Sequence, residues 1–114
     1  MSTQIRLETV RTVLTELSFA PKTRGYKLLC PGFVKYVQEN KMLTGQELYL
    51  WLGQQFGGLS ERNVHQNIEY SIKDAWENGN REKWEQYFPG YTKAPANMDF
   101  IATLAEHLQK REEE

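Results

Sequence analysis

The sequence predicts an all-α fold of about six helices that includes a helix-turn-helix, and three observations support this prediction. Apolar residues recur at three- and four-residue spacing in several segments, as in helices with one buried face. Capping residues and glycines separate these segments. No stretch shows the period-two alternation of a solvent-facing strand. We expect residues 1–114 to form a single domain, since this length suits one core.

The first two helices are predicted from their apolar stripes. Residues 5 to 18 form the first, and its predicted buried residues are Leu7, Val10, Leu14 and Leu17. The second runs from about Thr23 to Asn40, and its apolar positions are Leu28, Leu29, Phe33, Val34 and Val37. Proline lacks a backbone donor and clashes with the preceding turn, so Pro31-Gly32 predicts a kink or a division in this helix.

The next two helices are marked by their capping residues and form the predicted helix-turn-helix. Thr44 lies three residues before Glu47, which is the spacing of a capping box, and predicts a helix over about 44–56. Gly57-Gly58 then allows the left-handed backbone of a tight turn. Ser60 is the expected cap of a helix over about 60–78. Two capped helices joined by a short glycine turn are typical of a helix-turn-helix.

The helix over 60–78 has two distinct faces. Its predicted buried face consists of Val64, Ile68, Ile72, Ala75 and Trp76. The opposite, polar face carries Asn63, Gln66, Tyr70 and Lys73. A short segment over 81–88, a turn-rich loop and a final helix over about 97–111 complete the pattern; the final helix is predicted to bury Phe100, Ile101, Leu104 and Leu108.

Composition excludes several classes of protein. No apolar run approaches the roughly 18 residues needed to cross a bilayer, and residues 1–10 lack the apolar centre of a secretory signal. The single cysteine, Cys30, forms no internal disulfide, which favours a cytoplasmic setting without membrane contact. Two isolated histidines and no phosphate-binding glycine loop predict no metal, cofactor, small-molecule substrate or enzyme activity.

Charge is distributed unevenly along the chain. Residues 1–45 contain seven Lys and Arg against three Glu, whereas residues 46–114 contain seven against twelve acids. The two parts therefore carry net charges of about +4 and −5. Because proteins bind nucleic acid mainly through phosphates, any DNA contact must recruit the basic first part.

Several motifs in order along the chain resemble one known family. They are RGYKLL at 24–29, ELYLWLGQQF at 47–56, the valine and isoleucine frame at 64–72, AWENGN at 75–80, FPGYT at 88–92 and NMDFIATLAEHL at 97–108. Together they resemble the C-terminal effector domain of the stage-zero sporulation protein A, a response regulator. The resemblance implies six helices and a helix-turn-helix whose second helix enters the major groove of double-stranded DNA, regulating transcription in sporulation.

In that family a receiver domain precedes the effector domain. This sequence has Met1-Ser2-Thr3 immediately before the first predicted helix, so we expect a chain that lacks the receiver domain and is not switched by its phosphorylation.

The start of the second helix of the helix-turn-helix departs from the family pattern. The family has a run of the form S-R-V-E-R, in which the arginines and the glutamate contact bases or phosphates. Aligned through Val64, the two arginines are replaced by Asn63 and Gln66, and the glutamate by His65. Amide side chains make paired contacts to adenine, whereas arginine favours guanine. The resemblance and this chemistry predict base contacts by Asn63, His65, Gln66 and Asn67, with altered specificity.

Phosphate contacts are expected from basic residues nearby. The candidates are Arg62, Lys73, Lys22, Arg24 and Lys27. The span 61–77 carries a net charge of −2, so the second helix alone is a poor phosphate-binding surface. The alternative for these residues and for the three candidate amides is an ordinary solvated surface. For His65, which lies beside the apolar face, the alternative is a partly packed histidine with no special role.

Two functional hypotheses remain from the sequence, beside a third possibility, a structural remnant with neither activity. The first is a sequence-specific transcription regulator that acts as a homodimer or on tandem half-sites. The second is a helix-turn-helix that has become a protein-interaction module and modulates a full-length relative by pairing with it, which the lost arginines and the acidic second part favour.

Overall fold

The computed structural model describes residues 4–113 and confirms the all-α prediction, because the described chain contains six helices and no strand. In chain order the helices are α1 (Leu7–Glu16), α2 (Arg24–Gln38), α3 (Gly45–Gln55), α4 (Glu61–Asn78), α5 (Arg81–Tyr87) and α6 (Asn97–Glu113). Within residues 4–113, no helix is both long enough and apolar enough to span a bilayer.

Helix α1 is shorter than predicted, and one of its expected core residues is exposed. Val10 and Leu14 are fully buried as predicted, and Val13 joins them. Leu7, however, is 41% exposed, so its placement in the core was wrong. It is the first residue of the helix and follows Arg6, whose Nη2 lies 3.2 Å from Glu112 Oε1.

Helix α2 is continuous across Pro31-Gly32, so the predicted division there was wrong. Proline removes one helical hydrogen bond, but tertiary packing commonly outweighs such a local cost. Leu29 and Phe33, on either side of the pair, are fully buried, and Gly32 packs against Leu52 of α3. The contacts of α2 with the core thus hold the two halves together as one helix.

The helix-turn-helix forms as its capping residues predict. Thr44 Oγ1 accepts from the Glu47 backbone N–H at 3.1 Å, and the Thr44 N–H donates to Glu47 Oε1 at 2.9 Å, which completes the capping box. Gly57 and Gly58 adopt positive φ angles of 78° and 90°. Ser60 Oγ then accepts at 3.1 Å from the backbone N–H of Asn63, in the first turn of α4.

The core holds α4 by its predicted apolar face. All five predicted residues of that face are buried, as are the four predicted for α6. Trp84 of α5 is buried among aromatic rings and donates from Nε1 to the carbonyl oxygens of Leu17 and Ala75 at 3.1 and 3.2 Å. Because the apolar face is fixed inward, the polar face of α4 must point to solvent.

Candidate nucleic-acid interface

The outer face of α4 presents two unpaired amides one turn apart. Asn63 and Gln66 are exposed, and neither side-chain amide hydrogen-bonds to any residue of the described chain. Tyr70 continues this face one turn further and is 66% exposed. The three side chains share a face because residues three and four apart are neighbours on a helix. We call this set the outer face of α4.

Asn67 lies at one edge of the outer face and is partly engaged. Its Nδ2 donates to the backbone oxygen of Asn63 at 2.8 Å, and the residue is half-buried. Part of its hydrogen-bonding capacity is therefore used inside the helix, unlike that of Asn63 and Gln66.

His65 lies on the opposite flank of α4, turned toward α3 and α6. Its ring packs edge-on against Tyr49 of α3, with ring centroids 5.4 Å apart. Asn97, the first residue of α6, donates from Nδ2 to the His65 backbone oxygen at 3.0 Å and lies 3.4 Å from His65 Nδ1. His65 remains exposed, but its ring is held away from the outer face.

The basic start of α2 lies against the other flank of α4. Gly25 allows this close approach, because a Cβ at that position would overlap Ser71 Oγ and the backbone oxygen of Asn67. Thr23 Oγ1 lies 3.4 Å from Ser71 Oγ. Lys22, Arg24 and Lys27 surround this contact; all three are exposed, and within residues 4–113 they form no ion pair. We call these three residues the α2 basic cluster.

The two remaining predicted phosphate contacts lie on α4 itself. Arg62 is exposed at the start of the helix and has no ion-pair partner in the described part of the chain. Lys73 Nζ lies 3.8 Å from Glu69 Oε2, and both side chains are exposed. Such surface pairs contribute about 0–1 kcal/mol, so Lys73 is only weakly held.

Carboxylates lie in the first turns of both helices of the helix-turn-helix. Gln46 Nε2 donates to Glu61 Oε2 at 3.4 Å, which links the first turn of α3 to that of α4. The hydrogen bond from the Thr44 backbone N–H lowers the pKa of Glu47, so this carboxylate stays charged. A phosphate close to either helix start would meet this negative charge, so the α2 basic cluster and Arg62 must supply the attraction.

The sequence did not reveal the role of Asn97. This residue is 5% exposed and joins α6 to His65, while its hydrogen bond with the Tyr49 side chain partly offsets the rise in the pKa of Tyr49 that burial causes. An asparagine at the start of a helix is ordinarily interpreted as a cap. Its contacts with His65 and Tyr49, which lie 32 and 48 positions earlier in the chain, leave no signal in the sequence around Asn97.

The sequence of this chain matches the model of one known protein family. Residues 10–108 match the family model described as sporulation initiation factor Spo0A C terminal. The chain belongs to the Spo0A C-terminal domain family. Members of this family are DNA-binding effector domains of transcription regulators, and the matched span includes both α3 and α4. A search of curated protein sequences finds no matching relative.

Proposed function

We propose that this member of the Spo0A C-terminal family is a sequence-specific transcription regulator whose helix α4 enters the major groove with a base preference of its own. The observation that carries the proposal is the outer face of α4, where the amides of Asn63 and Gln66 are exposed and have no partner within the described chain. Free amides one helical turn apart are suited to contact neighbouring base edges.

The chemistry of these amides favours adenine. An Asn or Gln side chain both accepts from adenine N6 and donates to N7, and each such paired contact contributes roughly 1–3 kcal/mol of discrimination. Asn63 and Gln66 are the principal base contacts in this proposal. Asn67, at one edge of the face, is a secondary contact because its amide also bonds within the helix. His65 is a secondary contact because its ring must first leave Tyr49 and Asn97 to reach a base.

Affinity in this proposal comes from phosphate contacts at the side of α4. The α2 basic cluster and Arg62 are exposed cations without ion-pair partners among residues 4–113. They can therefore bind phosphates without first breaking an ion pair within that range. Phosphate contacts release bound counterions, and binding should weaken steeply as salt concentration rises. The protein acts as a homodimer or on tandem half-sites, which increases the number of contacts.

Selection from a random duplex library at low salt tests the proposal. The unchanged protein should enrich an adenine-containing motif, and the Asn63→Ala/Gln66→Ala variant should bind that motif about tenfold or more weakly because two paired contacts are lost. The matched control is Gln38→Ala/Gln86→Ala, which removes two exposed amides on α2 and α5. This control should bind like the unchanged protein.

Two outcomes would contradict the proposal. If the unchanged protein enriched no motif at low salt, the chain would not be a sequence-specific regulator. If a motif were enriched equally by the Asn63→Ala/Gln66→Ala variant, base recognition would lie elsewhere than on the outer face of α4.

The carboxylates at the helix starts favour a second candidate function. Glu47 and Glu61 lie where a helix-turn-helix approaches phosphates, and Glu61 accepts from Gln46 across the two helices. The alternative is a protein-interaction module that pairs with a full-length Spo0A-type regulator and modulates it. Co-purification of that regulator with this chain, but not with a Glu61→Gln variant, would favour the alternative.

A further inference from the structure

The linker between α5 and α6, residues 88–96, is an ordered segment fixed at both ends. The Gly90 N–H donates to Glu85 Oε1 at 3.1 Å, and the Tyr91 hydroxyl donates to Asp99 Oδ2 at 2.7 Å. Phe88 is buried and stacks on Phe100 with ring centroids 5.3 Å apart. Residues 89–96 of the linker, together with Asp99, line an open cleft of about 520 Å³.

The end of this linker lies against the helix-turn-helix. Asn97 donates to the His65 backbone oxygen, which places the start of α6 beside the first two turns of α4. Met98 packs against Gly45, the first residue of α3, where a Cβ would lie 3.0 Å from Met98 Cγ. The linker therefore ends where the starts of α3, α4 and α6 meet.

The linker and the α2 basic cluster lie on opposite flanks of α4. Ser71 faces α2, whereas His65 faces α6. On a helix of 3.6 residues per turn these two positions point about 120° apart across the buried face, so each borders the outer face on a different side. A helix in the major groove, which is about 12 Å wide, has one phosphate strand along each flank. The α2 basic cluster serves one strand only.

Lys93 is the basic residue that the linker brings to the second flank. The first turns of α3 and α6, GQEL and NMDF, contain no Lys or Arg. Lys93 is exposed and pairs with no carboxylate of the described chain. Lys41, by contrast, is paired with Glu106 at 2.9 Å. Lys93 precedes Asn97 by four residues, so its backbone lies within about 14 Å of that anchor.

We propose that residues 88–96 act as a wing beside the helix-turn-helix, with Lys93 contacting a phosphate of the strand opposite the α2 basic cluster. This inference rests on the proposed DNA binding. The wing fixes the register of α4 in the groove, because cations on both flanks hold the helix between the two strands. Lys93 contributes affinity without base preference, since phosphates carry no sequence information.

The test compares Lys93→Ala with Lys110→Ala, using the full chain and the duplex that the unchanged protein selects. Lys110 is also exposed but lies at the far end of α6. Affinity is measured from 50 to 200 mM salt. Loss of one phosphate contact should lower the slope of log affinity against log salt by about 1 in Lys93→Ala and weaken binding about threefold or more at 50 mM salt. Lys110→Ala should match the unchanged protein.

The outcomes separate the wing from the proposed function. If the unchanged protein binds the duplex and Lys93→Ala keeps its salt slope and affinity, the wing inference is overturned while DNA binding stands. Equal losses in Lys93→Ala and Lys110→Ala would also overturn it, because they would show a general effect of charge. If the unchanged protein binds no duplex at low salt, both proposals fail. A loss confined to Lys93→Ala and equal for selected and scrambled duplexes supports the wing.

Discussion

Tyr87 joins three helices through a single hydroxyl group. It donates to Glu16 Oε1 of α1 at 2.6 Å and accepts from Arg111 Nη1 of α6 at 2.9 Å. Burial of the ring, together with the bond to the Glu16 carboxylate, raises the pKa of Tyr87 to about 12. Burial also raises the pKa of Glu16, but its bonds to Tyr87 and Arg111 outweigh burial and leave that pKa below its ordinary value. The three side chains form one polar connection between α1, α5 and α6.

The raised pKa of Tyr87 predicts a loss of stability at high pH. An unfolded tyrosine has a pKa of about 10. The neutral hydroxyl therefore stabilises the fold fully below about pH 10, and this stabilisation is lost as the pH rises through about 12. Tyr87→Phe should lower the free energy of unfolding at pH 8 by about 1–2 kcal/mol and reduce the further loss between pH 8 and 11. Urea unfolding at both pH values measures this.

Tyr70→Phe is the control for Tyr87→Phe. It removes an exposed hydroxyl that has no hydrogen-bond partner within residues 4–113. The free energy of unfolding of Tyr70→Phe should therefore equal that of the unchanged protein at pH 8 and again at pH 11. A Tyr87→Phe variant as stable as the unchanged protein at pH 8, with the same fall by pH 11, would contradict the assigned role of Tyr87.

At the scale of the elements, the contact between α2 and α4 sets the geometry of the proposed interface. Gly25 lets the start of α2 reach Ser71 and the backbone of Asn67, which places the α2 basic cluster along the flank of α4. Asn63 and Gln66 lie on α4, whereas the α2 basic cluster lies at the start of α2, so this contact fixes the distance between them. Any displacement of α2 should affect DNA binding as well as stability.

Gly25→Ala tests the importance of that contact. The added methyl group would overlap Ser71 Oγ and the Asn67 backbone oxygen, so α2 must shift. Overpacking of this kind costs about 1–3 kcal/mol, and we expect a matching loss in the free energy of unfolding together with weaker DNA binding.

The control for this variant lies in the same helix. In Gly32→Ala the new Cβ would lie 3.4 Å from Leu52 Cδ1, an ordinary contact, and alanine favours helix by up to about 1 kcal/mol. Its stability should be equal or higher. Equal stability of the two variants, measured by urea unfolding, would show that the α2–α4 contact tolerates an added side chain.

Local signals in the sequence predicted most of these elements. The cap at Thr44, the glycine turn and the apolar face of α4 depend on residues a few positions apart, and the structure confirms them. The division of α2 at Pro31 was predicted from backbone chemistry alone and was wrong, because packing of α2 against the core holds it together. Tertiary contacts override such local preferences when both flanking turns are buried.

At the scale of the whole molecule, the interface combines residues that are distant in the sequence. The sequence named Asn63, Gln66 and the α2 basic cluster separately, but it held no signal that α2 and α6 lie on opposite flanks of α4. Those positions depend on the contacts of Gly25 with Ser71 and of Asn97 with His65. The position of His65 beside the apolar face follows from its place in the helix, but its contacts with Tyr49 and Asn97 had no local signal.

The uneven charge of the chain also has a structural counterpart. The basic first part contributes the start of α2, and the acidic second part contributes α4, which lies directly against it. A membrane or nucleic acid that bound this protein through charge alone would meet both positive and negative residues at this surface. Base contacts must therefore supply much of the preference for one DNA site, which makes Asn63 and Gln66 the centre of the proposed function.

Replacement of adenine by 7-deazaadenine in the selected duplex tests this central claim most directly. The analogue removes the N7 acceptor and keeps the base pair. The unchanged protein should lose about fivefold or more in affinity at the contacted adenines, since an amide contact is broken. The Asn63→Ala/Gln66→Ala variant should bind both duplexes equally, because it no longer makes that contact. Equal binding of the two duplexes by the unchanged protein, or the same loss in the variant, would contradict base recognition by these two amides.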